Sequence, residues 1–334
     1  MRAFQLTSAS IDSLTASELP TPQPGPGDVL IRLRAASLNF LDVAVARGDF
    51  GPDHFPRIPV ADGAGEIAGL GDGVEGWAVG DRVAPALMAR WLAGPIQPSS
   101  HDAVRGVTVP GSLAQYTVAP ASSLVRIPNG LTWEEAATLP VAATTAWNGL
   151  VRGHVRPGST VALLGTGGVS LFALQLAKAA GARVIITSSS DDKLERARTL
   201  GADEVINYTT TPAWDERVLE LTQGRGADLV IESVGAATFP RSMNAVAFAG
   251  TIFVIGFVGG AELTIPVLPI QLKTISILGN NTGSVSDFAA AVRAIEMAGI
   301  KPVIDKVFAF DDAKAAFHYL ADAGHVGKVV IRID

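Results

Sequence analysis

A glycine-rich segment at residues 165–170 has the residue types that a phosphate-binding turn requires. It reads GTGGVS, follows an apolar strand pattern and opens a helical pattern. Gly165 suits a tight turn, Gly167 lets the backbone approach a pyrophosphate, and the helix N-terminus offers free N–H groups to phosphates. Ser170 replaces the third glycine of the GxGxxG pattern and is small enough for close helix packing. The segment therefore predicts a dinucleotide site rather than a purely structural turn.

The end of the following strand pattern indicates which dinucleotide binds. NAD-binding chains carry an acidic residue about 20 positions after the first glycine, where it binds the ribose 2′-hydroxyl. Serines occupy 188–190 here, which removes the repulsion against a 2′-phosphate, and Lys193 adds a positive charge one helical turn later. We predict NADP(H). NAD(H) is the less favoured alternative: Asp191 and Asp192 argue for it, although acids also suit the first turn of a helix.

Composition excludes several classes of function. The 334 residues correspond to about two domains. With 26 basic against 32 acidic residues and no cysteine, the chain lacks the basic character of nucleic-acid-binding proteins and excludes disulfides, thiol catalysis and cysteine-ligated zinc. No apolar run reaches the roughly 18 residues of a transmembrane helix. We expect a soluble cytoplasmic protein that binds a small-molecule substrate and neither nucleic acid nor membrane.

The order of strand and helix patterns predicts an α/β protein with two domains. Residues 1–125 contain short β patterns separated by turns, whereas strands and helices alternate over 159–257. Such alternation is typical of a doubly wound parallel sheet covered by helices. After it, 263–280 predicts two β segments, 285–297 a helix and 327–334 a final strand.

Motifs along almost the whole chain resemble the medium-chain dehydrogenase/reductase family, and most closely its zinc-free branch, grouped with quinone oxidoreductases. They include LNFLDVAVARG, PVADGAGEIAGLGDGVEGWAVGDRV, LTWEEAATLPVAATTAWNGL, the glycine turn with its flanks, GADLVIESVG and HVGKVVIRI. The resemblance implies a Rossmann NADP(H)-binding domain at 123–283 and a GroES-like, mainly β catalytic domain from 1–122 and 284–334. It also implies a homodimer that pairs the edge strand of the Rossmann sheet, 274–279.

The same resemblance implies that no zinc is bound. The ligand positions of zinc-dependent relatives match Asn39, Ala61 and Pro140 here, and the five histidines, His54 among them, lack ligand spacing. Zinc-free relatives place an Asn and one or two Tyr near the nicotinamide; Asn39 matches the former, but Ala44 replaces one tyrosine and Phe50 another. This favours a substrate that accepts hydride and takes its proton from water, such as a quinone or an enone.

Residue by residue, the resemblance supplies candidate site residues. Asn39 and Asp62 are the predicted catalytic residues, Asp62 having a structural hydrogen-bonding role as its alternative, and Asp42 is expected to cap or brace the helix after Asn39. The predicted cofactor-binding residues are Thr144, Gly165, Thr166, Gly167, Gly168, Val169, Ser188, Ser189, Lys193, Tyr208, Val234, Gly235, Gly256, Phe257, Asn280 and Lys328.

The expected activity is a zinc-independent, NADPH-dependent reduction of a quinone, an enone or another activated carbonyl. Two alternatives remain open at this point. One is a metal-free alcohol dehydrogenase, which has to deprotonate an alcohol near pH 7 without a cation or a tuned base. The other is an NADP(H)-binding sensor without turnover, which the missing tyrosines permit.

Overall fold

The computed structural model describes residues 1–51 and 55–334. Its internal contacts divide the chain into a first unit, Met1–Thr144 with Thr282–Asp334, and a second unit, Thr145–Asn281. The first unit thus extends past the boundary at residue 122 that the sequence suggested. The reason is that a short strand at Leu124–Arg126 pairs with the first unit's sheet, so the chain leaves that sheet later.

Fifteen strands and ten helices are present in the described residues. The strands are β1 (Arg2–Leu6), β2 (Leu14–Glu18), β3 (Asp28–Leu38), β4 (Asp62–Leu70), β5 (Arg82–Pro85), β6 (Tyr116–Pro120), β7 (Leu124–Arg126), β8 (Thr160–Leu164), β9 (Arg183–Ser188), β10 (Glu204–Asn207), β11 (Ala227–Glu232), β12 (Val246–Val254), β13 (Ser276–Gly279), β14 (Ile304–Phe308) and β15 (Lys328–Arg332). The helices are α1 (Phe40–Arg47), α2 (Trp133–Ala137), α3 (Thr144–Arg152), α4 (Gly168–Ala179), α5 (Asp191–Thr199), α6 (Trp214–Leu221), α7 (Phe239–Ala245), α8 (Val267–Lys273), α9 (Val285–Met297) and α10 (Ala313–Ala321). Short helical turns occur at Ile11–Ser13, Pro98–Ala103, Ala121–Ser123, Leu139–Ala143 and Phe310–Asp312.

The second unit is built on a six-stranded sheet in the order β10-β9-β8-β11-β12-β13. All of its pairings are parallel. In this doubly wound order the first strand, β8, lies centrally. The next two strands are added on one side of it and the last three on the other. The central strand β8 is buried along its whole length, as expected for a strand with helices on both faces. The predicted α/β fold with a parallel sheet is confirmed.

The first unit is mainly β, and its sheet has the order β14-β15-β3-β4-β5-β7, with β6 also pairing with β3. The long strand β3 is antiparallel to β4, β6 and β15. Its register sets Leu38 opposite Val329 and Ser37 opposite Asp62. Asn39 directly follows Leu38 and Lys328 directly precedes Val329, so three elements deliver Asn39, Asp62 and Lys328 to the same end of this sheet.

The segment 263–280 differs from its predicted structure. In place of two β segments, it forms the helix α8 followed by the single strand β13. Pro266 precedes the helix and Pro269 lies in its first turn, where a missing N–H is tolerated, whereas a strand ladder would lose two donors. The apolar side chains that suggested a strand are exposed on α8 instead, Val267 at 72% and Leu272 at 65%.

Two further sequence expectations concern the edge of the second unit's parallel sheet and the absence of membrane-crossing helices. Among the described strands, β13 pairs only with β12 and forms the sheet edge, and its pairing with a second copy of the chain stays a prediction. Within the described residues, no helix combines the length and apolar character that a membrane crossing requires.

Candidate functional site

The glycine turn of the second unit has the conformation that a pyrophosphate site needs. Gly165 adopts φ +74°, which side chains other than glycine rarely adopt. Gly167 is the N-cap of α4 and supplies no side chain to cap it, so the first N–H groups of this helix remain available. Ser170, in place of the third glycine, is buried and donates to the Leu164 carbonyl at 2.9 Å.

The space around this turn fits a dinucleotide. A Cβ built on Gly165 or Gly167 would meet no other atom within 4 Å, so the backbone faces open space there. Thr166, Gly168 and Val169 complete the loop and the first helical turn that follows it. We conclude that these residues fit the phosphates of a pyridine dinucleotide, whose negative charge the N-terminus of α4 favours.

The end of β9 carries hydroxyl groups and no acid. Ser188 is buried, and its Oγ lies 3.2 Å from Thr166 Oγ1, which ties the strand end to the glycine turn. Ser190 caps α5 by accepting from the Lys193 N–H at 3.4 Å. Ser189, which lies between Ser188 and Ser190, is exposed. Asp191, the nearest acid, accepts a hydrogen bond from the Asn207 amide at 2.8 Å.

Sequence reasoning missed a buried carboxylate that shapes the loop after β11. Glu232 is fully buried, and its Oε1 accepts from the Val234 and Gly235 N–H groups at 2.9 and 3.0 Å and from Thr238 Oγ1 at 2.7 Å. Its Oε2 accepts from Ser242 Oγ at 2.5 Å. An acid that directly ends an apolar strand pattern was the available signal. Glu232 is thus a positioning residue for two predicted cofactor residues.

The loop after β12 lies close to that same backbone. A Cβ on Gly256 would come within 1.8 Å of the Ser233 carbonyl oxygen, so only glycine fits here. Phe257 follows and is 41% exposed. Asn280, after β13, donates from its backbone to the Val254 carbonyl at 3.1 Å. The second unit therefore brings these predicted residues to the carboxyl ends of neighbouring strands, where doubly wound folds bind ligands.

Two more predicted cofactor residues belong to different units, with Tyr208 at the same edge of the parallel sheet and Thr144 in the first unit. Tyr208 follows β10, is 43% exposed and donates from its backbone to the Ser188 carbonyl at 3.0 Å. Thr144 belongs to the first unit, and its buried Oγ1 has no hydrogen-bond partner in the described part of the chain. Contacts of both residues with a dinucleotide stay predictions.

The predicted catalytic residues of the first unit form one buried network. Asn39 Nδ2 donates to Asp62 Oδ2 at 2.8 Å, and Lys328 Nζ donates to Asn39 Oδ1 at 2.5 Å and to the Leu38 carbonyl at 2.7 Å. Lys328 Nζ also lies 3.6 Å from Asp62 Oδ2. The sequence suggested these residues one at a time, and the structure brings them together. For Lys328, predicted to bind the cofactor, contact with a dinucleotide stays a prediction.

Asp42 and the backbone hold this network in place. Asp42 Oδ2 accepts from the Asn39 N–H at 2.7 Å, and Oδ1 accepts from the Ala61 N–H at 2.8 Å. Asp62 Oδ1 accepts from the Val141 N–H at 3.0 Å. Asp42 therefore braces the start of α1, as predicted, and also fixes the strand entry at Ala61.

The ammonium group determines how the Asn39 amide is oriented. Lysine has donors only, so it must face the amide oxygen, and the amide nitrogen then faces the Asp62 carboxylate. One of the two N–H groups on Nδ2 donates to Asp62, and the Asn39 side chain also hydrogen-bonds with the Asp42 carboxylate. Asn39 is half-buried, so part of this residue remains accessible to a ligand.

Burial shifts the titration of the network. It raises the pKa of Asp62 from 3.8 to about 7, although the Lys328 ammonium and the Asn39 amide act in the opposite direction. Burial likewise raises the pKa of Asp42 to about 6, against two backbone hydrogen bonds. Burial lowers the pKa of Lys328, and the two carboxylates partly restore it. Burial therefore makes both carboxyl groups of this network weaker acids than exposed aspartates.

The side chains at the expected metal position do not fit a zinc ion. Ala61 and Pro140, at two ligand positions implied by the resemblance, have no donor atom in their side chains. At the third position, the Asn39 oxygen already binds an ammonium group. No group of three or more potential ligands is close enough to hold a metal within residues 1–51 and 55–334, and His54 lies outside them.

Comparisons with known proteins now give the family. The alcohol dehydrogenase GroES-like domain matches residues 25–129, and the zinc-binding dehydrogenase domain matches residues 168–297. The zinc-type alcohol dehydrogenase-like protein C1773.06c of Schizosaccharomyces pombe is 45% identical, with 98% of this chain and 97% of that protein covered. The chain belongs to the medium-chain dehydrogenase/reductase superfamily. It is an oxidoreductase, as the sequence predicted.

Two solved structures extend the comparison over the whole chain. A crystal structure described as an NAD-dependent alcohol dehydrogenase is 36% identical, with 100% of both chains covered and a TM-score of 0.91. A mycobacterial protein complexed with NADPH is 29% identical, again with 100% of both chains covered, and has a TM-score of 0.85. The superfamily fold, with its GroES-like and Rossmann parts, is thus confirmed.

The raised pKa of Asp62 predicts a pH dependence of stability. A carboxyl that titrates near 7 when folded and near 3.8 when unfolded binds more protons in the folded state over that interval. The free energy of unfolding contributed by this group therefore falls as pH rises from about 4 to 7. In Asp62→Asn this fall is expected to be less steep, by at most about 1.4 kcal/mol per pH unit.

Urea unfolding at several pH values between those limits measures the slope. Asp72→Asn, which alters an exposed carboxylate, is the matched control and keeps the slope of the wild type. If Asp62→Asn shows the wild-type slope, then Asp62 does not titrate in this interval.

Proposed function

We propose that this dehydrogenase/reductase is a zinc-independent, NADPH-dependent reductase of quinones, enones or other activated carbonyls. The observation that carries the proposal is the Lys328–Asn39–Asp62 network, which holds a half-buried amide between an ammonium group and a buried carboxyl group. In this assignment the second unit binds NADPH, and Asn39 of the first unit binds the substrate oxygen.

The proposed cofactor rests on the turn at Gly165 and on the end of β9. The N-terminus of α4 would hold the pyrophosphate, and Ser188, Ser189 and Lys193 lie where the 2′-phosphate is expected. NADPH supplies a hydride when it is bound. The mycobacterial relative complexed with NADPH supports this choice, while the relative described as NAD-dependent keeps NADH as the alternative.

The Asn39 amide supplies the electrophilic contact. A cation on its oxygen polarises the amide and strengthens the N–H as a donor, because hydrogen bonds in a chain reinforce one another at low dielectric. Such a donor stabilises the negative charge that develops on a carbonyl oxygen during reduction. Lys328 therefore acts through Asn39 and is a positioning residue. The buried ammonium group thus supplies positive charge to the site through the Asn39 amide, which supports zinc independence.

Alcohol oxidation is the second candidate, and one observation favours it. Deprotonating an alcohol near pH 7 needs a base with a matching pKa, and burial raises the pKa of Asp62 to about 7. Asp62 is, however, fully buried, and its oxygens accept from Asn39 and Val141. It therefore reaches a substrate only through Asn39, which favours the reductase.

The cofactor assignment predicts that Ser189→Asp changes the choice of dinucleotide. A carboxylate at this exposed position repels a 2′-phosphate, and we expect kcat/KM with NADPH to fall about tenfold, corresponding to about 1.4 kcal/mol. The value with NADH should change less, and Ser189→Ala should behave like the wild type. Steady-state kinetics with both cofactors give the comparison. A wild type that prefers NADH would contradict the assignment.

The catalytic assignment predicts that Asn39→Ala loses turnover and keeps cofactor binding. Losing one donor to a developing oxyanion costs about 100-fold in kcat. NADPH fluorescence titration should give the wild-type Kd. The assay measures NADPH oxidation with 1,4-benzoquinone and 2-cyclohexen-1-one after dialysis against EDTA, and Asn129→Ala, an exposed amide, is the control. Two results would count against the proposal: activity that needs added zinc, or NADPH binding without turnover, which indicates a sensor.

A further inference from the structure

The first unit contains a cleft of about 590 Å³ that the proposed reaction does not use. Its walls come from the N-terminal segment, from the segment before β4, from β6 and from the excursion between β5 and β6. Most of them are apolar, including Leu19, Ile58 and Val109. None of the residues of the Asn39 network lines it. Its volume lies within the range of small-molecule sites, about 300–1,000 Å³.

An arginine is buried in the wall of this cleft. Arg105 is 3% exposed, and its Nη1 donates to Thr117 Oγ1 at 2.9 Å and to the Pro110 carbonyl at 3.3 Å. Its Nη2 donates to the Val118 carbonyl at 3.4 Å. All three acceptors belong to residues that line the cleft, so the guanidinium group lies at its wall.

This guanidinium lacks a counter-charge. Its acceptors are neutral, its Nε has no hydrogen-bond partner, and no ion pair joins it to a carboxylate of the described residues. Burial alone lowers its pKa, to about 10, so the group is still charged at neutral pH. An unpaired charge in a protein interior is unfavourable, and buried arginines are normally paired with an anion.

The unsatisfied donors lie along one edge of the guanidinium. Nε and Nη2 together form the side-on edge that binds the two oxygens of a carboxylate. In Arg105, Nη2 makes one long hydrogen bond, and Nε has no partner but is itself covered by protein atoms, so an anion in the cleft meets Arg105 only at its small exposed surface. The other basic side chain of the cleft, Arg90, is exposed and already pairs with Asp102 at 2.9 Å.

We propose that this cleft binds a small organic carboxylate whose head group pairs with Arg105 and whose apolar body lies along the cleft walls. The single charge of Arg105 matches one carboxylate, and the apolar walls match a hydrocarbon chain or ring. Asp28, which also lines the cleft, disfavours a second negative charge on the ligand. The Asn39 network does not line the cleft, so binding here is measured without turnover.

Isothermal titration calorimetry of the full chain with decanoate tests this proposal, and decanol is the neutral probe of equal length. The wild type should bind decanoate and bind decanol far more weakly. Arg105→Met should weaken decanoate binding about thirtyfold or more, as expected when one partner of a buried charge pair is removed. Arg90→Gln is the matched control and should leave the affinity unchanged.

A second variant covers the case in which Arg105→Met fails to fold. Ala103→Phe keeps Arg105 and fills the cleft from a partly exposed lining position, and it should abolish decanoate binding. The proposal is overturned by equal binding of decanol, by unchanged decanoate binding in Arg105→Met or Ala103→Phe, or by a wild type that binds no decanoate.

Discussion

The ammonium group of Lys328, buried between the Leu38 carbonyl, Asn39 and Asp62, is the interaction on which the first unit's site depends. A charge withdrawn from water is tolerated only when hydrogen bonds and an opposite charge replace its hydration. Here both are supplied by residues that the β3 register with β4 and β15 aligns. The same sheet pairing therefore positions the site and stabilises the charge.

The two units contribute different electrostatic elements to the proposed reaction. The second offers the positive end of α4 and an acid-free end of β9, which suit a dinucleotide phosphate. The first offers a polarised amide that would bind the substrate oxygen. Glu232 has a supporting role in the second unit, because it orders the loop at Val234 and Gly235 without exposing a charge.

Local sequence patterns predicted much of the fold. They could not predict contacts between charged groups that are distant in the sequence. The helix 285–297 and the turn at Gly165 follow from spacing and glycine conformation, which are local properties. The prediction of a β segment where α8 forms was wrong, because the prolines favour the start of a helix and the apolar residues are exposed. The coupling of Lys328 to Asn39 spans 289 residues of sequence, so only the sheet register reveals it. Similarly, no pattern marks Arg105 as unpaired.

The central claim is that Lys328 acts on the substrate through Asn39, and a single-turnover measurement of hydride transfer tests it most directly. Wild type and Lys328→Met, each loaded with NADPH or its 4-deuterated form, are mixed with 2-cyclohexen-1-one in a stopped-flow instrument. At saturating NADPH, the account predicts slower transfer in the variant and a deuterium isotope effect in both proteins. A variant that transfers hydride at the wild-type rate, or that loses only NADPH affinity, would contradict it.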